Sequence, residues 1–171
     1  WVNHSKVRKG FFSSSSTTHM CICISANVLT QSLIVQYLQL TDSIGENLQI
    51  IGDTVFQTNP VRLEKGIRDN ACNGVLLKPS QVGTVWEAIE ISKSASRGQW
   101  GVCASTRRGE TDSTFLSDLC VGLSTGQIKA SSFLGMDGMA KLNHILRIEE
   151  ELGDEARYAG SNFRQPRSMK K

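Results

Sequence analysis

The sequence predicts an α/β protein built from parallel strand–helix units, on three observations. Short apolar runs alternate with helical patterns from Leu40 onward, the alternation returns at intervals of roughly 25 residues, and the helices begin and end on recognisable cap residues. A parallel strand cannot return through a tight turn, so a helix-length crossover between strands is what such spacing supplies.

The elements follow in order. Leu48 to Asp53 reads as a strand. Asn59-Pro60 offers an N-cap followed by a proline at the first helical position, where a missing N–H costs nothing, and predicts a helix through Asn70. Gly74 to Lys78 reads as the second strand. Thr84 to Arg97 reads as a helix with Val85, Ala88 and Ile89 on its apolar face and Gly98 as its stop. Trp100 to Ser105 is the third strand. Asp112 or Ser113 can cap a helix carrying Phe115, Leu116, Leu119 and Cys120, and Gly126 opens a fourth short strand, Gln127 to Lys129. A last long helix runs from about Gly138 to Leu152.

Composition narrows the class. The 171 residues are 39% hydrophobic and 20% charged, with 19 basic against 16 acidic side chains, which describes one soluble globular domain. A net charge of +3 from nearly balanced signs gives no massed basic face for a phosphate backbone, so nucleic acid is not an expected partner. Five scattered cysteines form neither a CxxC pair nor a zinc pattern and suit a reducing, cytoplasmic compartment. The apolar stretch Met20 to Leu40 is interrupted by Ser25, Asn27, Gln31, Ser32, Gln36 and Gln39, so no membrane span is expected. Position 1 is Trp, and the chain is read as part of a longer product.

Each predicted strand ends in a residue able to do chemistry: Asp53, Lys78, Ser105 with Thr106 and Arg107 just beyond it, and Lys129. In an eightfold (β/α) barrel such ends converge on one face, where one carboxylate and several cations would meet. Asp53 is a hard oxygen ligand of the kind magnesium takes. Arg107 presents a planar fork for phosphate or carboxylate, and Lys129 a point charge. Lys78, among other cations, has the character of a general base. These parts suit proton abstraction beside a carboxylate, with a metal stabilising the ene-diolate. Each residue also has a plain structural reading: Asp53 as a loop carboxylate, Lys78 as a strand end reaching solvent, Arg107 and Arg108 as solvated loop charges, Lys129 as an edge-strand guard.

A longer set of segments carries a family resemblance. Leu40-Thr-Asp-Ser-Ile-Gly-Glu-Asn-Leu-Gln-Ile-Ile-Gly-Asp53, Thr58-Asn59-Pro60, Leu76-Leu77-Lys78, Gln81-Val-Gly-Thr84, Arg108-Gly-Glu-Thr111, Gly126-Gln-Ile-Lys129 and Leu146-Arg-Ile-Glu-Glu-Glu-Leu-Gly153 together resemble the C-terminal part of the enolases. The resemblance implies the C-terminal half of a (β/α)8 barrel of the TIM type, four βα units followed by a C-terminal helix. It implies a phosphopyruvate hydratase, a carbon–oxygen lyase of glycolysis that reversibly dehydrates 2-phosphoglycerate to phosphoenolpyruvate with Mg2+, and a homodimer in the complete protein. By position Asp53 corresponds to one of three metal carboxylates, Lys78 to the base that takes the C2 proton, Arg107 to a phosphate-binding arginine and Lys129 to the lysine that holds the substrate carboxylate. Ser105, Thr106 and Arg108 fall in the same substrate-binding set.

The sequence departs from the family in places. Thr106 stands where the family has histidine, and Arg108 where it has serine. Thr54 replaces a second Asp, and Pro79-Ser80 a Val-Asn. No equivalent of the Ser-Ile-Glu-Asp-Pro strand precedes Leu40. The expected organisation is therefore a Ser-rich and apolar extension unrelated to the family over 1–39, the barrel segment over 40–166 and a basic tail over 167–171, with the chain inactive by itself. The alternative is a non-catalytic, enolase-like binding protein.

Overall fold

The computed structural model describes residues 21–24, 31–107, 109–130 and 135–165. They divide into two compact units, one within His19–Cys103 and the other within Ala104–Lys171.

In the first unit, β1 (Cys21–Ile24) is followed by α1 (Gln31–Ile44), β2 (Gln49–Gly52), α2 (Pro60–Arg68), β3 (Gly74–Leu77) and α3 (Val85–Arg97), and ends in β4 (Gly101–Ser105). β1 runs parallel to β2 with Cys21 opposite Gln49, and β2 runs parallel to β3 with Ile51 opposite Gly74. The strands lie in the order β1-β2-β3-β4. The sequence reading assigns no element before Leu48, so β1 and α1 are additions to it. Polar residues at intervals along this stretch mask the apolar run that would mark a strand or helix.

The other predicted elements fall where the residues placed them. Asn59 caps α2 by accepting a hydrogen bond from the Arg62 N–H, and Pro60 stands at the first helical turn. Thr84 caps α3 through the Glu87 N–H, and Gly98 ends the helix. The buried face of α3 is Ala88, Ile91, Ser92 and Ala95, whereas Val85 is 46% exposed and Ile89 only half-buried. Val85 belongs to the first turn, where a helix has neighbours on one side only; the buried stripe keeps the i, i+3, i+4, i+7 spacing from Ala88 onward.

β2 and β3 are buried along their whole length, as strands covered on both faces must be. Ile51, Leu76 and Cys103 form one core cluster. The side chain of Asn73 ties this region together. Its Oδ1 accepts from the Ile50 N–H at 2.6 Å, and its Nδ2 donates to the carbonyls of Gly45 and Leu48 at 2.8 and 2.9 Å.

In the second unit the end of β4 is followed by α4 (Phe115–Gly122), β5 (Gly126–Lys129) and α5 (Met136–Leu152), with β5 beside β4. Ala104, Leu116, Cys120, Ile128, Ala130 and Ile145 make its core. The cap of α4 is Thr114, not Asp112 or Ser113, and it makes no side-chain cap bond. Ser113 instead accepts from the Phe115 N–H with its hydroxyl, at 3.4 Å. A short hydroxyl two residues upstream can satisfy the same free amide without occupying the cap position. Gln127 donates from Nε2 to the Phe163 carbonyl at 3.2 Å and so holds the C-terminal turns against β5.

Among the described residues no helix is long and apolar enough to cross a membrane.

Candidate functional site

The first unit brings two of the expected residues into direct contact. Asp53 follows the last residue of β2 and Lys78 the last residue of β3. Neighbouring parallel strands end side by side, so two polar residues placed just past them can meet. The Lys78 Nζ donates to Asp53 Oδ1 at 2.6 Å and to Oδ2 at 2.7 Å, with the two side chains 14% and 12% exposed. Two short charge-assisted hydrogen bonds fix the two side chains in one geometry, their attraction set against the cost of taking both charges out of water.

Thr58, to which the sequence assigns no role, braces the main chain at the end of β3. It is 3% exposed and adopts a left-handed backbone, with φ +53°. Its Oγ1 donates to Gln81 Oε1 at 3.0 Å, lies 3.4 Å from the Leu76 carbonyl, and accepts from the Lys78 N–H at 3.4 Å. Its signal in the sequence is Thr58-Asn59-Pro60, a hydroxyl directly before the capped start of α2.

The second unit carries the remaining expected residues. Ser105 is 2% exposed and its hydroxyl donates to the Thr106 carbonyl at 2.9 Å. The Thr106 N–H donates to the Lys129 carbonyl at 3.2 Å, and its hydroxyl reaches the same oxygen at 3.4 Å. Arg107 and Lys129 are exposed. The main chains at the ends of β4 and β5 are thus tied, while the Arg107 and Lys129 side chains stay open to solvent. Arg108 lies outside the described residues.

The described residues do not by themselves make a magnesium site. Both oxygens of Asp53 face the Lys78 ammonium, and among the described residues no group of three or more His, Cys, Asp or Glu side chains could hold a metal ion. Magnesium takes near-octahedral oxygen coordination and gives up its waters reluctantly, so a lone carboxylate already paired with a cation holds it poorly.

The perturbed groups lie away from these residues. Burial pushes the Cys72 thiol up from its ordinary value to about 12. Burial does the same to Cys120, up to about 12, against an opposing hydrogen bond with Thr125. On the surface, Glu90 is held below the ordinary carboxylate range, first by its hydrogen bond from Lys93.

Parallel strands joined by helices, each with a polar residue just past its end, define an α/β protein of the barrel-forming kind. Residues 9–167 match the family described as enolase, C-terminal TIM barrel domain. The chain is 55% identical over 130 residues to "Enolase 2" of Hevea brasiliensis, covering 76% of this chain and 29% of that protein. It is 52% identical over 130 residues to the enolase of Solanum lycopersicum, with the same coverage. The chain belongs to the enolase family, through its C-terminal barrel domain, and spans about 29% of the length of these relatives.

Proposed function

We propose that the complete protein is a phosphopyruvate hydratase of glycolysis, reversibly dehydrating 2-phosphoglycerate to phosphoenolpyruvate in the cytoplasm as a homodimer. The observation that carries this reading is the Asp53–Lys78 pair at the ends of β2 and β3. The reaction needs a base at C2 of an anionic substrate. Lys78, as the free amine, takes the C2 proton on Nζ, and the electron pair left on carbon expels the C3 hydroxyl, which departs as water on taking a proton from a general acid that the residues assigned here do not supply. Asp53 stands 2.6 Å away to stabilise the ammonium so formed. Arg107 holds the substrate phosphate with its planar fork, and Lys129 holds the carboxylate as a point charge. Ser105, Thr106 and Arg108 complete the substrate-binding set.

Magnesium is the cofactor this family reading implies, with Asp53 as one ligand. Since the described residues do not make its site, the chain alone is expected to have no turnover. A specific observation also keeps the binding-protein reading in view. Thr106, in place of histidine, directs its hydroxyl to the Lys129 carbonyl, and an aliphatic hydroxyl does not serve as an acid–base group at neutral pH.

The test is a graft of residues 40–166 into the barrel of a complete relative, assayed by the ultraviolet absorbance of phosphoenolpyruvate. Turnover is expected to rise about 10²–10⁴-fold when Thr106→His is added, the usual scale for acid–base assistance. Lys78→Met in the same graft should abolish it. An inert graft that still binds 2-phosphoglycerate with histidine at position 106 would overturn the lyase reading in favour of the binding protein.

A further inference from the structure

Lys141 is 1% exposed, on the inner face of α5. Lysine is rarely buried to this extent, because its ammonium must be met by polar partners. Here the partners are main-chain carbonyls. Nζ donates to Thr111 at 2.7 Å, across a sequence separation of 30 residues, and to Asp137 in the first turn of its own helix at 3.2 Å. The helix is itself fastened at this point, since the Ser117 hydroxyl on α4 donates to the Lys141 carbonyl at 2.9 Å.

Thr111 closes the segment that leads from β4 toward α4 and bears Arg107. The opening of that segment is held where Thr106 bonds the Lys129 carbonyl. Between these two anchors lies Gly109 at φ +77°, a conformation that glycine adopts without strain, with open space where a Cβ would stand. Among the described residues, the long-range hold on the far anchor is the Lys141 ammonium. A methionine would fill the same space on α5 without burying a charge, and it would give up the hold on Thr111 together with the bond to the Asp137 carbonyl.

We propose that Lys141 is a positioning residue: through the Thr111 carbonyl it fixes the Arg107-bearing segment so that the guanidinium is preorganised for the anionic group of the substrate. This rests on the proposed phosphate role of Arg107. Lys141 itself does not touch substrate.

The experiment compares the full chain with Lys141→Met and Lys141→Arg, reading amide hydrogen exchange over the segment and over α4 and α5. It also follows a titration with inorganic phosphate through the Arg107 side-chain Nε–H signal. Lys141→Met should speed exchange at Gly109 to Asp112 about tenfold while α4 and α5 keep their protection, and weaken phosphate binding by about the same factor, the worth of one charge-assisted hydrogen bond. Lys141→Arg, which keeps a cationic donor, should restore both. The proposal is overturned if exchange in the segment is unchanged, if it rises equally through α4 and α5, or if arginine gives no rescue. Should Lys141→Met fail to fold, the unsubstituted chain decides: a scalar coupling from the Lys141 ammonium to the Thr111 carbonyl carbon supports the hold, and its absence overturns it. If phosphate leaves Arg107 unmoved in the unsubstituted chain, the phosphate role of Arg107 falls, while the exchange contrast still judges the hold on the segment.

Discussion

Asp53 and Lys78 illustrate how two residues gain a shared property from position alone. Each is an ordinary charged side chain, yet at 2.6 and 2.7 Å and largely shielded from water the two satisfy one another. Removing the carboxylate leaves an ammonium with its partner gone. Asp53→Ala is therefore expected to destabilise the fold by about 2 kcal/mol, read from the urea midpoint. The buried thiols set a second residue-scale behaviour. Cys72 and Cys120 ionise in the fold only near 12, against an ordinary 9.0. A group whose folded pKa is raised favours the fold below its unfolded value and loses that advantage as pH climbs toward the folded one, so stability should fall between about pH 9 and pH 12. Below that window both thiols should resist alkylation until the chain unfolds, which mass spectrometry of labelled peptides checks.

Between α2 and the strands, one aromatic ring sets the fit of the first unit. Phe56 is 2% exposed and lies tilted against Trp100, with ring centroids 5.4 Å apart. Gly52 on β2 and Gly66 on α2 both leave room for this ring, and a Cβ at either would collide with it. Alanine in place of Gly66 would gain about 1 kcal/mol of helix propensity. The collision outweighs that gain, because overpacking a close-fitted core costs about 1–3 kcal/mol and the neighbours include Trp100 at 3.3 Å as well as Phe56. Gly66→Ala should thus lower stability despite its better propensity. Asn73 is the polar counterpart. Its three side-chain bonds join the turn after α1 to the start of β2, and Asn73→Ala should cost about 2–3 kcal/mol by leaving those groups without their partner. Equilibrium denaturation of the two variants tests both.

For the whole chain, the decisive property is what its carboxylates can and cannot surround. A ligand bound tightly to the native state raises the unfolding temperature by mass action. With Asp53 committed to Lys78 and no cluster of three metal-binding side chains among the described residues, magnesium is expected to leave the Tm of this chain unchanged in a calorimetric scan. A clear rise would mean that the residues outside the described set complete a metal site.

The local elements were legible from the residues because their determinants are local. Asn59-Pro60 starts α2, Thr84 and Gly98 bound α3, β2, β3 and β4 announce themselves as short apolar runs at crossover spacing, and Gly126 marks the start of β5. Membership of the enolase family was legible for a related reason, since many ordered segments are read without any folding. What escaped was set at a distance. The Thr58 hydroxyl finds its place only when the chain between it and Lys78 has turned back on itself. The exposed end at Val85 and the cap at Thr114 depend on what packs beside those turns, which no capping rule contains. Sequence alone determined which residues would stand at the strand ends and what charge each would bring. The tertiary structure decided which of them touch, closing Asp53 onto Lys78 and burying Lys141 against Thr111, because charges near or far in sequence interact only at the few ångströms that packing sets.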